Sequence, residues 1–394
     1  MLVVHNNYSS RIPSGENHAV RDEMAWLAEA GVDVVPHESN NDDVFDGGGL
    51  QRVRQAAEAV WSVSEQRRFE RAIERARPDL VHVHNLFPLL SASVPWRAVR
   101  RDLPVVWTVH NRRVRCVGGT NFRAGEPCTL CKPGRRLPGI RHACYGGGST
   151  MASALVTASS SLFATIARRR VTPVAISEAV RDWLVDSAGF KADRIQVKYN
   201  GVEVPEVSAT ATPPADSRTF LFAGQMSPHK GVRLLLDAWQ RSDLPDDAEL
   251  QLLGDGTLTD EVQQAAKRDP RIVWHGLVPA EEALARMATS RAVVVPSIWE
   301  EPFGRVAAEA MACGRPVITS GAGGLREVVD ADSGWITGTD VGALAEAITT
   351  AARSDAAVTD RGAAAARRHD NLFSPAATTQ SLLDIYTSVL DSSR

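Results

Sequence analysis

Residues 292–324, AVVVPSIWEEPFGRVAAEAMACGRPVITSGAGG, decide how the chain is read. An apolar run (292–296) leads into a turn holding Glu301. A helix-like stretch follows (306–313), then a second apolar run (316–319) and the turn Ser320-Gly321-Ala322-Gly323-Gly324. Both runs are apolar throughout, as strands covered on two faces are. Strand, helix and strand in that order make the crossover unit of a parallel sheet.

The same rhythm extends along the chain. Further strands are expected at 2–5, 80–84, 105–110, 172–176, 195–199, 219–223, 249–253 and 272–275. Helices are expected at 17–30, 64–77, 178–188, 232–241, 280–288 and, last, 375–390. A length of 394 residues exceeds one ordinary core. The stretch 203–217 holds Pro205, Pro213 and Pro214 among Ala, Thr and Ser and has no periodic face, so it reads as a connection. The expected division is a first domain at 1–204, a linker at 205–217, a second domain at 218–373, and a terminal helix within 374–394 crossing back to the first. The fold class is α/β, with two Rossmann-like doubly wound domains facing across a cleft.

Composition, at 44% apolar and 23% charged, is that of a soluble globular enzyme. No uninterrupted apolar run of about 18 residues occurs, so no membrane-spanning helix is expected. The apolar start, residues 1–4, is too short for a signal peptide and fits a first strand, which makes a cytoplasmic location the expectation. Net charge is −3, unevenly spread: residues 1–205 carry +6 and the remainder −9. Within 84–170, 14 Lys and Arg face only Asp102 and Glu126. Such a zone attracts phosphates, anionic lipids or acidic substrates, unless carboxylates elsewhere in the fold neutralise it. No nucleic-acid partner is expected.

Ligands of open parallel sheets bind where strands end and helices begin. The second half has informative turns there: Gly224-Gln225-Met226-Ser227-Pro228-His229-Lys230-Gly231, Gly254-Asp255-Gly256, and the glycine turn at 320–324. One such turn alone is an ordinary connection; several at one sheet edge suggest a phosphate site, with Lys230 near a helix N-terminus. Pro302-Phe303-Gly304 should open a helix whose first amides suit a diphosphate. At about 1.5 Å per residue, Glu309 lies about 10 Å beyond that turn. Two carboxylates so placed could hold hydroxyls on either side of a diphosphate. By spacing alone the reading to prefer is a helix-start carboxylate and a surface residue.

These motifs resemble the signature of the family 4 retaining glycosyltransferases, which have the GT-B fold. The likeness runs from Pro296 to Gly324 with Glu301-x7-Glu309. It continues in Gly224…Lys230-Gly231, Gly254-Asp255-Gly256, Val273-Trp274-His275-Gly276 and Asn200-Gly201-Val202, over nearly the whole chain. It implies a UDP- or GDP-sugar donor, with Glu301 on the sugar hydroxyls and Glu309 on the ribose. The Lys230 ammonium and the amides near Phe303, Gly304 and Arg305 would hold the diphosphate, and Asn200 would belong to the donor site. Gln225 departs from the pattern, since the family usually has Arg there; an uncharged amide leaves the diphosphate with one cation fewer, unless Arg305 shares the load.

In the first half, Gly15 aligns with the glycine loop that approaches donor phosphate and acceptor, or is a surface turn. His84 and His110 both end apolar strands. His84 is expected to cap a loop, whereas His110 matches the position whose imidazole approaches the reacting sugar. Cys116, Cys128, Cys131 and Cys144 follow a C-x11-C-x2-C-x12-C spacing within an insertion at 112–148. A structural zinc ion, free thiols and disulfides are the three readings, zinc first, because a cytosolic chain keeps few disulfides. Some members of the resembling family carry a similar Cys-rich insertion. Cys313 is expected in the core, and His142 at the surface or as an alternative ligand.

The resemblance implies retention of anomeric configuration with no catalytic metal. By the same resemblance Glu301, Lys230 and His110 are expected to carry the chemistry. The acceptor is a glycan, lipid-linked molecule or small metabolite, anionic if the basic 84–170 zone selects it, with peripheral contact at the inner membrane face. The rival readings are a nucleotide-sugar epimerase and a non-catalytic nucleotide-sugar or lipid-phosphate binder.

Overall fold

Parallel strands organise both halves of the chain. The computed structural model describes residues 1–9, 14–43, 56–145, 147–203 and 211–393. It divides into unit 1 (Met1–Arg123, Pro127–Gly201 and Thr378–Arg394) and unit 2 (Ala124–Glu126 and Val202–Ala377). The change of unit at Gly201–Val202 precedes the expected linker. Residues 204–210 of that linker lie outside the described residues, and residues 211–217 belong to unit 2. The buried guanidinium of Arg291 holds them there, donating to the carbonyls of Ala215 (3.0 Å), Ser217 (3.2 Å) and Ala351 (2.6 Å).

The strands are β1 (Leu2–Asn7), β2 (Val35–Asn40), β3 (Val81–Val83), β4 (Val105–Val109), β5 (Phe122–Arg123), β6 (Glu126–Pro127), β7 (Thr172–Ala175) and β8 (Gln196–Val197). They continue with β9 (Thr219–Ala223), β10 (Glu249–Leu253), β11 (Ile272–Gly276), β12 (Ala292–Val295), β13 (Val317–Thr319) and β14 (Gly334–Ile336). Among the described residues they form two six-stranded parallel sheets, ordered β2-β1-β3-β4-β7-β8 and β11-β10-β9-β12-β13-β14, and a β5–β6 ribbon. Strand order reverses between β1 and β3 in one sheet and between β9 and β12 in the other. Those are the switch points at which crevices open beyond the strand ends.

Unit 1 carries α1 (Gly15–Glu29), α2 (Val63–Ala76), α3 (Ser93–Arg100), α4 (Leu137–Arg141), α5 (Thr150–Arg170) and α6 (Glu178–Ala188). Local chemistry sets their ends. The Ser14 hydroxyl accepts from the Asn17 amide to start α1, Ser177 does the same for α6, and Gly189 closes α6 in a left-handed conformation. By length and composition α5 could cross a membrane, contrary to the sequence expectation, because its apolar character is interspersed with Ser and Thr. Its Val156, Phe163, Ala164 and Ala167 are buried, with Phe163 edge-on to Trp107 at 4.8 Å, so one face of it packs into unit 1 while Met151 and Leu162 stay exposed.

Unit 2 continues with α7 (Val232–Arg241), α8 (Thr259–Arg268), α9 (Ala280–Ala288), α10 (Arg305–Ala312), α11 (Leu325–Val328), α12 (Val341–Arg353) and α13 (Asp355–Leu372). Its core gathers Phe220, Leu250, Val294 and Ile318 from the sheet and Leu235, Trp239, Leu344 and Ile348 from the helices. Phe220 meets Trp239 edge-on at 5.7 Å, a contact worth about 1 kcal/mol beyond the area it buries. The last helix, α14 (Pro375–Ser393), enters unit 1 at Thr378 and buries Leu382, Ile385 and Tyr386 against Leu27, Leu80, Val106 and Val174.

Candidate functional site

The switch point of unit 2 brings the turn after β9 beside the turn after β12. Gly231, in a left-handed conformation (φ 74°), allows the close approach: a Cβ there would lie 1.9 Å from the Pro296 carbonyl oxygen. The Ile298 amide donates to the His229 carbonyl at 2.9 Å, which pins the two turns together. Lys230 Nζ therefore reaches Glu301 Oε1 at 2.6 Å and lies 5.3 Å from the centre of the Trp299 ring. The Ser297 hydroxyl donates to the same carboxylate oxygen at 2.7 Å. Burial raises the Glu301 carboxyl, but Lys230 and Ser297 outweigh it and hold the group below its usual range, so it stays ionised. Gly323, also left-handed, leaves room for the Glu301 backbone, whose carbonyl accepts from the Gly324 amide at 2.8 Å.

The other donor-side candidates fall in different places. Gly304 caps α10, so the helix opens at Arg305, after Pro302-Phe303-Gly304. The Phe303 ring turns inward against Phe373 at 5.6 Å, which leaves its backbone as the part a ligand can use. Arg305 Nε donates to Glu309 Oε1 at 2.8 Å, one turn apart on α10. Gln225 is exposed beside Gly224. Gly15 and Asn200 lie in unit 1, Gly15 exposed at the start of α1 and Asn200 buried.

Unit 1 builds a second cluster at its own switch point. His84, expected as a loop cap, is buried: its Nδ1 lies 2.9 Å from His110 Nε2, with the rings stacked at 5.2 Å. The correction follows from topology, because β3 and β4 are neighbours and their ends coincide. Behind the pair stands Glu23 of α1, whose Oε1 lies 3.5 Å from both His84 Nε2 and His82 Nδ1 and whose Oε2 accepts from Lys198. His82 also contacts the Thr108 hydroxyl at 2.7 Å and the Tyr386 hydroxyl of α14 at 2.6 Å. Burial lowers all three imidazoles, His82 to about 4, so the rings are neutral. Burial raises Glu23, but Lys198 and His82 bring it below the usual carboxylate range.

His110 lines a cavity of about 60 Å³ with Glu16, Phe87, Asn111, Arg113 and Ser159. On its polar side the Glu16 carboxylate accepts from Tyr8 Oη (3.1 Å) and Asn111 Nδ2 (3.0 Å). Arg113 donates to Tyr8 Oη at 3.1 Å and lies over the Tyr8 and Tyr145 rings. Burial would lower this guanidinium, but Tyr8, Tyr145 and Glu16 hold it above its ordinary value, so it is a fixed cation. Sequence reasoning missed Tyr8, Glu16, Glu23, His82, Asn111, Arg113 and Lys198. The signal available was the pair of His-ended strands, which topology makes neighbours.

Much of the basic zone is spent inside unit 1. Glu70 takes Arg97 and Arg101, Arg136 donates to Ser160 and the Val114 carbonyl, and Arg168 donates to the Ala188 carbonyl. Cys116, Cys128, Cys131, Cys144 and Cys313 form no disulfide among the described residues. Burial raises Cys131 and Cys144, and each also feels Cys116 and Cys128, but among the described residues no three of the four sulfurs lie within 4.8 Å of one another. The Asn121 amide donates to Cys116 Sγ at 3.3 Å. Cys313 sits at the C-cap of α10, partly buried and raised by burial to about 12. His142 is exposed.

Two family models match the chain: Glycosyltransferase Family 4 over residues 14–205 and Glycosyl transferases group 1 over residues 217–354. The D-inositol 3-phosphate glycosyltransferase of Xylanimonas cellulosilytica is 31% identical over 333 residues, which span 78% of this chain and 71% of that protein. The phosphatidyl-myo-inositol mannosyltransferase of Mycobacterium leprae is 33% identical over 213 residues, 50% of this chain and 54% of that one. Among solved structures, Anabaena Alr3699/HepE in complex with UDP and glucose superposes with a TM-score of 0.66 at 20% identity, covering 98% of this chain and all of that one. Sucrose-phosphate synthase from Thermosynechococcus elongatus gives 0.70 at 19% identity, covering 99% of each chain. At such identity the likeness is one of fold: two Rossmann-like domains of GT-B type.

Proposed function

The chain belongs to glycosyltransferase family 4, and on that premise we propose that this glycosyltransferase moves a sugar, with retention, from a UDP- or GDP-sugar to the hydroxyl of an anionic or lipid-linked acceptor. The observation that carries the donor side is the pairing of Lys230 with Glu301 at the switch point of unit 2. Arg305 and Glu309 repeat that pattern on α10. A nucleotide sugar divides each pair: its diphosphate takes the cations, and its sugar and ribose hydroxyls take the carboxylates. The positive end of α10 adds to the field at the phosphates.

In the reaction the bond from anomeric carbon to diphosphate oxygen breaks. The acceptor oxygen bonds to that carbon on the same face, and its proton passes to the departing phosphate. Lys230 stabilises the charge growing on the leaving group, the kind of interaction that lowers a barrier most in a fixed polar site. Leu130, Leu137 and Met151 are exposed alongside exposed Lys132, Arg135 and Arg141, which supports peripheral contact with an anionic, cytoplasmic membrane face.

The insertion would hold one structural zinc ion on Cys116, Cys128, Cys131 and Cys144. Buried Arg115 and Arg136 sit near enough to Cys131 and Cys116 to feel their charge, which suits the net negative charge of a four-thiolate site. Metal analysis should find one zinc per chain; well under one equivalent rejects the site.

The donor reading is tested by thermal shift and turnover across UDP- and GDP-sugars. A donor at 100 times its Kd stabilises the fold by about 2.7 kcal/mol. No shift with any of them, and no sugar transfer, would reject it. Binding to vesicles containing anionic lipid, absent with neutral ones, tests the membrane contact.

A further inference from the structure

We infer that His84 and Glu23 are positioning residues that fix the tautomer of His110, so that the ring presents a bare Nδ1 and accepts a hydrogen bond from a substrate hydroxyl. The tautomer follows from the geometry alone; the hydroxyl rests on the glycosyltransfer reading above.

One hydrogen lies between His84 Nδ1 and His110 Nε2, 2.9 Å apart, so one nitrogen donates and the other accepts. The far side of the His84 ring decides which. His84 Nε2 is buried, and the group facing it is Glu23 Oε1 at 3.5 Å. Glu23 is ionised by Lys198, and a carboxylate only accepts. A lone pair on Nε2 would face that negative charge, so the hydrogen of His84 is on Nε2 and its Nδ1 is the acceptor. His110 must then donate from Nε2. A neutral imidazole has one N–H, so His110 Nδ1 is a lone pair. Among the described residues it has no hydrogen-bond partner, and its ring lines the cavity.

The neighbours agree with this order. Both ring nitrogens of His82 are occupied, Nδ1 by the Tyr386 hydroxyl at 2.6 Å and Nε2 by the Thr108 hydroxyl at 2.7 Å, so His82 does not compete for the His84 hydrogen. His5 is committed through Nε2 to Asn17 Oδ1 at 3.1 Å. Glu23, His82 and His84 offer ligand atoms within 4.8 Å of one another, a grouping that could hold a metal ion. The Lys198 ammonium already neutralises the carboxylate there and leaves a second cation unfavourable.

The test is nitrogen-15 NMR of histidine-labelled protein, which reads the tautomer of each ring directly, beside steady-state kinetics. Wild type should show His110 protonated at Nε2 alone. His84→Ala should lose that preference and lower kcat about tenfold with donor KM within twofold. His84→Asn, whose amide oxygen can replace Nδ1 as acceptor, should restore the tautomer and most of kcat. A wild-type His110 protonated at Nδ1 overturns the inference whatever the activity, as does an unchanged tautomer in His84→Ala or stoichiometric metal at Glu23. If the tautomers are as expected but His110→Ala transfers sugar at the wild-type rate, the positioning stands and the role given to His110 in the reaction falls.

Discussion

The Lys230 cluster of unit 2 and the His110 cluster of unit 1 sit at equivalent places in two similar sheets, yet their chemistry is opposite. Unit 2 holds opposed full charges that water can reach; the Lys230 side chain is 27% exposed. Unit 1 holds neutral rings, with the His82 and His84 side chains at 0%. Ion pairs near solvent exchange partners at little cost, which suits a site that must receive a charged substrate and release it. Rings shut away from water cannot exchange protons for solvent, which suits a site that must keep one hydrogen-bond pattern.

The comparison predicts effects of different kinds in the two units. Lys230→Ala should lower kcat by about 10²–10³-fold, the loss seen when a charge-stabilising donor is removed, and should also lower stability, because the buried Glu301 carboxylate loses its cation. Initial rates within threefold of wild type would remove Lys230 from the leaving group.

A pH titration should find unit 1 the more sensitive. An unfolded His82 titrates near 6.5 and the folded one near 4. Between those values the unfolded chain binds a proton that the folded chain does not, so stability is full above pH 6.5 and falls as pH drops through the window. His82 alone contributes about 3 kcal/mol to that loss, and His84 and His110 act in the same direction. His229 of unit 2, also lowered to about 4 but less buried, adds a smaller loss of the same sign. Urea denaturation at pH 7.5 and 5 measures the difference; equal stabilities would mean the rings are charged in the fold.

Tyr386→Phe should cost about 1–2 kcal/mol by leaving His82 Nδ1 without its hydrogen-bond partner. The donor KM should be unchanged, and a shift in it would break the separation between clusters. The smallest effect belongs to Arg305→Ala, which should change stability by less than about 0.5 kcal/mol, as pairs one turn apart on a helix do, while raising donor KM severalfold.

What the sequence disclosed follows the same contrast. Strands 219–223 and 249–253 and helices 178–188, 232–241 and 280–288 are found at the expected bounds, because their apolar periods are clean. The strand β2, VPHESN, was missed: it pairs only with β1 at the sheet edge and needs one buried face at most. Helix α5 was missed because Ser153 and Ser159 occupy buried positions that periodicity assigns to apolar residues. Glu301 and Lys230 were legible since each lies in a turn that announces itself by glycine and proline. Glu23, His82 and Lys198 were not: the first two sit inside α1 and β3, Lys198 directly follows β8, and each acquires its role from neighbours far along the chain. Lys198 and Glu23 are 175 residues apart, and Tyr386 and His82 304.

Those separations bear on how the chain comes into being. The core of unit 2 is drawn from residues between Phe220 and Val358 without interruption. Unit 1 needs Leu382, Ile385 and Tyr386 to close its own. As the chain leaves the ribosome, the later-encoded unit has its complete set of core side chains first. The earlier one waits with the His82 ring uncapped until α14 has emerged, so the part of the molecule translated first is finished last.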